Sequence, residues 1–486
     1  MLRTKVEPQP SLFESLLPEE FRRLPRGLGA VDALLDDPVF FDPFRPYFDE
    51  RYGRPSIPME TYLRLMYLRF RYGLGFESLC AEVTDSLSWR MFCRIGPYDS
   101  VPHPTTLMKI TTRCGPAAVT ALNEALLEKA DAAHLVKLDK VRVDTTVVPA
   151  NVAYPTDSGL LSKGVAKLTS TVGRLKKLGY ASRTCFRERS SQVRRLAHSI
   201  GTWLRRRNED AKEEVLKITG ELASIAEATI KDAAYVARNT RRTIALRGNA
   251  ASKKAVALLA ELERTSSVLE QVVAQTRTRV AGEVPDGSTR IVSLHDTDAR
   301  PIRKGRLGKP VEFGYKVQVA DNSDGILLDL SVHEGNPADG PLLAPAVKRI
   351  ARRLGRMPQA VAADRGYGEA AIESQLRELG VAEVAIPRRG RPGPERQKVE
   401  SAPCFRELVK WRTGAEGRIA HLKRSFGYER TRLDGTTGTE TWCGWGMLAH
   451  NTHKIAVLLE ERGDGGRASE PGRHPPRGPT RTRPAT

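Results

Sequence analysis

The sequence predicts an α/β protein: a mixed five-stranded sheet with helices, an all-α N-terminal region ahead of it, and a long helical insertion after its first strand. Three observations carry this expectation. Short apolar runs, Val- and Thr-rich or alternating, stand at 140–150, 313–320, 326–335, 359–364 and 381–387. Apolar residues recur at helical spacing through 1–138 and again, among many charges, through 161–284. After that second helical stretch, strands and helices succeed one another in the order β, β, α, β, α, β, α.

Taken in order, the N-terminal region opens its clearest helix at METYLRLMYLRFRYG. Pro58 stands just before it, where a helix-starting proline belongs, and Tyr62, Leu65, Met66 and Phe70 mark one face. FESLCAEVTD, SWRMFCRIG and TTLMKITTRCG follow as short helices broken by Gly and Pro. This suits a helix-turn-helix-like module and equally a plain bundle with a solvated basic face. KVRVDTTVVPA (140–150) reads as a buried strand with Asp144 at its centre, and a carboxylate there is expensive unless paired or metal-bound. The insertion contains long charged helices and a basic run, Arg187, Arg189, Arg194, Arg195, Arg205, Arg206 and Arg207, which is either a solvated face or a phosphate-facing one.

FGYKVQVA, the turn at 322–325 and ILLDLSVHEG form a hairpin. PLLAPAVKRIARRLG is a helix, QAVAAD a strand ending on Asp364, EAAIESQLRELG a helix and VAEVAIP a strand. A basic Pro/Gly-rich loop leads to one long helix, CFRELVKWRTGAEGRIAHLKRSF (404–426). The final residues are Gly, Pro and Arg with little apolar content, a disordered basic tail. The expected divisions are therefore 1–138, 139–160, 161–284, 285–460 and the tail 461–486.

Composition narrows the function. Of 486 residues, 40% are hydrophobic and 6% aromatic, enough for a core and against wholesale disorder. Lys+Arg number 78 against 58 Asp+Glu, a net charge of +20 that points to a polyanion, nucleic acid first and an anionic membrane second. No apolar stretch is long enough to span a bilayer, and MLRTKVEPQPSLF lacks the apolar segment of a secretory signal. Six cysteines without a C-x-x-C argue against a disulfide framework or structural zinc and suit a reducing cytoplasm. There is no Walker A motif, no G-x-G-x-x-G and no G-x-S-x-G, so nucleotide hydrolysis, Rossmann cofactors and serine hydrolase chemistry lack support.

The carboxylates carry the chemistry. Right-handed crossover logic sets the strand ending on Asp364 beside the one bearing Asp144. The helix at 404–426 supplies a third acid, Glu416, with Arg412 and Lys423 on the same face at spacings of 4 and 7. Three carboxylates from two strands and a helix suit two divalent ions about 3.5–4 Å apart. Oxygen-only ligation favours Mg²⁺ or Mn²⁺ over Zn²⁺.

These residues resemble the bacterial insertion-sequence transposases of the DDE type, the IS-four/IS-five-like groups with an RNase H-like catalytic domain. The resemblance rests on VDTT around Asp144, on D-x-G-Y at Asp364-Arg365-Gly366-Tyr367, and on R-x3-E-x6-K at Arg412, Glu416 and Lys423. FGYKVQVA, GNPAD (335–339) and LAHNTHKIA (448–456) extend it, so that it covers about 30–455. The groups' usual Tyr three residues before the Arg is Val409 here. The resemblance implies catalytic and metal-binding roles for Asp144, Asp364 and Glu416, with two Mg²⁺ or Mn²⁺ ions per active site. It implies DNA contacts from Arg412, Lys423 and Arg365, and a helical N-terminal region that reads element ends, with Lys109 and Arg113 as candidate contacts. The partner would be double-stranded DNA, the protein a homo-oligomer on it, and the location the cytoplasm at the nucleoid. The competing expectations are an RNase H-like nuclease that cuts without joining, and an inactive DNA-binding remnant.

Other polar residues read as structural. Asp296 and Asp298 suit a turn or a phosphate loop, His450 and His453 core or capping positions, and His295, His333 and His421 structural roles. Trp442 and Trp445 suit the core.

Overall fold

The computed structural model describes residues 1–6, 18–19, 23–206, 209–304 and 310–464. Arg207 and the tail from residue 465 onward lie outside the described residues.

In the N-terminal region, α1 (Arg26–Leu35), α2 (Met59–Arg71), α3 (Phe76–Asp85) and α4 (Leu87–Phe92) precede α5 (Pro104–Ala132). The helix expected at 105–115 continues much further. It kinks at Gly115, whose φ of 58° a glycine tolerates, and at Pro116, which has no N–H to donate. Helix α2 is buried along nearly its whole length, cations included. Its Arg64 is fully buried and donates through Nε to Asp32 at 2.8 Å.

Strand β1 (Lys140–Pro149) is the centre of the sheet. It pairs antiparallel with β3 (Val311–Asn322) and parallel with β5 (Ala360–Ala363), which pairs parallel with β6 (Glu383–Ala385). The far edge of β3 carries β2 (Arg300–Arg303) at one end and β4 (Leu327–His333) at the other. The sheet is therefore mixed as expected but six-stranded rather than five-stranded. The additional β2 is four residues long and contains Pro301, which an edge strand tolerates, and nothing in its composition marks a strand.

Between β1 and β2 run α6 (Asp157–Lys177), α7 (Ser190–Trp203), α8 (Glu209–Arg247) and α9 (Lys253–Val280). They enclose their own apolar cluster, with Leu161, Leu168, Leu222, Leu262 and Leu269 fully buried. The N-terminal helices, by contrast, share one continuous core with the sheet. The link is α15 (Gly435–Asp464), which packs on α1, α2, α5 and β4. Asn451 of α15 bonds both backbone groups of Leu327, accepting from its N–H at 2.9 Å and donating to its carbonyl at 2.8 Å.

The remaining helices are α10 (Gly340–Leu354), α11 (Ala370–Glu378), α12 (Pro394–Ser401), α13 (Pro403–Arg412) and α14 (Ala415–Ser425). The single helix expected over 404–426 is thus two, interrupted at Thr413–Gly414. The cause is Arg142, reaching across from β1. Its Nη1 donates to Trp411 O at 2.9 Å, and its guanidinium lies 4.8 Å from the Trp411 ring. The backbone bonds there tighten to three-residue spacing, Gly414 N to Trp411 O and Glu416 N to Thr413 O. A Cβ on Gly414 would stand 2.6 Å from Arg142 Nη1, so glycine is what lets the guanidinium enter.

Candidate active site

Asp144 lies one residue past the last β1–β5 register pair, Val143 with Ala363, and Asp364 directly follows Ala363. The parallel pairing thus brings the two carboxylates to neighbouring positions, as the crossover logic predicted. Each is held the same way. Asp144 Oδ1 accepts from Thr145 N at 2.8 Å, and Asp364 Oδ1 accepts from Gly366 N at 2.8 Å. The second oxygens face one guanidinium: Arg412 Nη2 is 2.9 Å from Asp144 Oδ2 and 3.7 Å from Asp364 Oδ2. Arg412 is the last residue of α13, which packs against β5 and β6.

The two acids differ in burial. Asp144 is 8% exposed, and Asp364 is half-buried. Burial pushes the Asp144 carboxyl up to about 6, with the Asp364 charge adding to the rise and Arg412 opposing it.

Glu416 lies in the first turn of α14, exposed to solvent. No group of three or more His, Cys, Asp or Glu side chains among the described residues is arranged to share a metal ion. Lys423, two turns further along α14, lines a cleft with Arg424, Arg430 and Arg432. Arg365 is exposed in the short turn after Asp364. Lys109 and Arg113 are exposed on α5, with Arg113 5.1 Å from the Phe48 ring.

A further acid stands beside this pair. Asp339 Oδ1 accepts from Thr145 Oγ1 at 3.0 Å and pairs with Lys316 Nζ at 2.6 Å. Its other oxygen would be 3.3 Å from a Cβ on Gly366. In the sequence GNPAD only extends the resemblance, and nothing local marks its Asp339 as a site residue. Around the site a second network fixes the helix break: Asp321 accepts from Arg142 Nε and Nη2, both at 2.8 Å, and from Arg418 Nε at 3.1 Å.

Of the residues read as structural, Asp296, Asp298, His450, Trp442 and Trp445 are so used. Asp296 is buried and accepts from Tyr315 and from Gly435 N, while Asp298 accepts from Thr436 N at 2.9 Å, so both secure the start of α15. His450 is buried, hydrogen-bonded to Gly325 O at 3.0 Å, and held neutral as burial lowers it to about 3. Trp442 and Trp445 are core residues. No helix among the described residues is long and apolar enough to cross a membrane.

Comparison with known proteins finds two transposase domains. Residues 18–113 match the family described as Transposase domain (DUF772), and residues 286–452 match the family described as Transposase DDE domain. The second match contains Asp364 and Glu416, whereas Asp144 lies outside it, separated by the helical insertion. A relative from Rhizobium meliloti, "Uncharacterized protein ORF8 in nfe locus", is 28% identical over 185 residues, covering 36% of this chain and 86% of its own length. No solved structure matches. The two family matches together span more than half of the chain, and the protein belongs to the DDE transposases.

Proposed function

We propose that the protein is the transposase of an insertion sequence, binding the terminal inverted repeats of its element and catalysing metal-dependent DNA cleavage and strand transfer through Asp144, Asp364 and Glu416. The observation that carries this reading is the paired presentation of Asp144 and Asp364: one oxygen of each tied to a backbone N–H, the other turned to a shared cation. The strand order, with β1 between β3 and β5, supports an RNase H-like assignment for the sheet. The division of the chain at 138, 160, 284 and 460 belongs to the same proposal, and so does a dimer on paired element ends.

The donor set suits a hard divalent ion. It offers only carboxylate oxygens, and burial disfavours the Asp144 charge in a way that a cation would relieve. Asp144 and Asp364 would hold Mg²⁺ or Mn²⁺, with Glu416 completing the set. Bound there, the ions supply Lewis acidity for an in-line phosphoryl displacement. Thr145 N–H and Gly366 N–H fix the carboxylates, and Arg412 and Lys423 orient the DNA phosphates. Water adds to phosphorus and the 3′ oxygen leaves as a hydroxyl. That hydroxyl then attacks a target phosphodiester, losing its proton as the target's 3′ oxygen departs.

Asp144→Asn, Asp364→Asn and Glu416→Gln are each expected to abolish nicking of end DNA in Mg²⁺ while DNA binding in EDTA persists. Nicking that survives in one of them removes that residue from the set. Joining of a pre-cleaved end to target DNA separates the transposase from a nuclease that only cuts. Lys423→Ala is expected to slow end cleavage by about tenfold to a thousandfold, the equivalent of roughly 1.4–4 kcal/mol of lost positioning, without shifting the melting temperature. Wild-type rates would make Lys423 a surface cation.

A further inference from the structure

Arg69 is 4% exposed, yet among the described residues no carboxylate pairs with it and its Nε has no hydrogen-bond partner. Three aromatic rings hold it instead: Phe76 at 3.8 Å, Trp442 at 4.8 Å and Phe70 at 5.2 Å from the guanidinium carbon. Burial pulls its pKa down to about 10, so it remains a cation at neutral pH. A buried, unpaired charge is costly, and ring faces offset only part of that cost.

Arg69 lines a cleft of about 740 Å³ where α2 meets the loop 427–432 and the end of β1. Lys423 and Arg424 of α14 and the exposed Arg430 and Arg432 share its walls. Two acids also line it: Glu312, which pairs with Lys304, and the exposed Glu429. The loop is braced, since Thr431 N donates to Pro149 O at 2.9 Å and Trp442 Nε1 donates to Gly427 O at 2.7 Å. Pro149 is five residues beyond Asp144 on the same strand. At about 3.4 Å per residue this is roughly 17 Å, the axial rise of about five base pairs of duplex.

We propose that this cleft is a phosphodiester site: it takes the backbone of a DNA strand leading away from Asp144 and Asp364, with Arg69 donating to a phosphate oxygen and Arg430 and Arg432 meeting neighbouring phosphates. The proposal rests on the DNA-processing reading above but not on the identity of the metal ligands. A ring-held guanidinium presents its fork in a fixed orientation, which suits a phosphate better than a mobile lysine would.

The test uses the full chain in EDTA, so that binding is read without cleavage, with a random-sequence duplex as probe and salt as the variable. Arg69→Met is expected to bind about tenfold or more weakly, the effect of losing a charged hydrogen bond, while melting at the same or a higher temperature. Arg430→Gln with Arg432→Gln is expected to reduce the slope of log K against log salt by about 1.8, at about 0.9 per phosphate contact. Arg69→Met that melts lower yet binds DNA as the wild type does would make Arg69 a packing residue and overturn the proposal. An unchanged slope in the double variant would also overturn it, and that variant decides the matter if Arg69→Met does not fold. Stabilisation of the wild type by pyrophosphate, with no loss of duplex binding in either variant, would make this a small-anion site and overturn the DNA assignment. Because no metal is present, the active-site reading stands or falls separately, on the nicking assay.

Discussion

The candidate active-site acids and the basic cleft are joined by strand β1 and handle buried charge in opposite ways. Around Asp144 the buried charges are paired: Arg412 faces Asp144 and Asp364, Lys316 faces Asp339, and Asp321 takes both Arg142 and Arg418. Beyond Pro149 the buried Arg69 meets three aromatic faces and, among the described residues, no carboxylate. A closed set of pairs keeps the carboxylates in place. A buried cation held only in part by ring faces stays costly in the free protein. The first region is thus paired within the chain, and the second leaves a cation for which we propose a ligand.

The largest effect should come from opening the closed side. Asp321→Asn leaves Arg142 and Arg418 without their carboxylate while preserving shape. Losing one partner of a buried ion pair costs about 3–5 kcal/mol, so chemical denaturation should show a loss of this order, in contrast to Arg69→Met. A loss below about 1 kcal/mol, within the range of a surface pair, would mean that the two regions are not built differently.

Asp144 tests the same contrast through pH. Its folded pKa of about 6 lies above the ordinary 3.8, so the native state holds its proton more tightly than the unfolded chain does. Stability then falls as pH rises from about 4 to about 6 and stays lowered above that. In metal-free buffer, Asp144→Asn should be the more stable protein at pH 7, by no more than about 3 kcal/mol for a shift of roughly two units. The advantage should vanish below about pH 4, as paired melting curves would record. A variant less stable than wild type at pH 7 would show that the Arg412 pairing outweighs burial.

How much of this was legible in the sequence depends on how far each determinant reaches. The adjacency of Asp144 and Asp364 was legible because crossover handedness and two short strand patterns suffice to fix it. The break at Thr413–Gly414 was not, because it is made by Arg142, some 270 positions earlier, and the local sequence still reads as helix. For Glu416, spacing fixes a helix face and not how near that face comes to the sheet. The burial of Arg69 was hidden for a related reason. Helix α2 reads as amphipathic, and its cations are covered by Asp32 of α1 and by Phe76 of α3 and Trp442 of α15.

The smallest effects should come from the cations that neither region encloses. Lys109 and Arg113 are exposed on α5 and have no buried charge to answer, so removing them should barely change folding. Arg113→Ala forfeits its contact with Phe48, about 0.5–1 kcal/mol for an exposed cation–π pair, and Lys109→Ala should cost less. If these residues meet phosphates as the resemblance implies, each substitution should lower the salt slope of DNA binding by about 0.9. If instead they read base edges at the element ends, the loss should appear on end DNA and not on random duplex, since phosphate contacts carry no sequence information. Fluorescence anisotropy on both probes, across a salt series, separates these outcomes. Unchanged binding to both would reduce this face of α5 to a solvated surface. Recognition of the ends would then have to come from the cleft or the active-site rim, and the contrast between buried and exposed cations would become the main division of DNA-binding labour in the molecule.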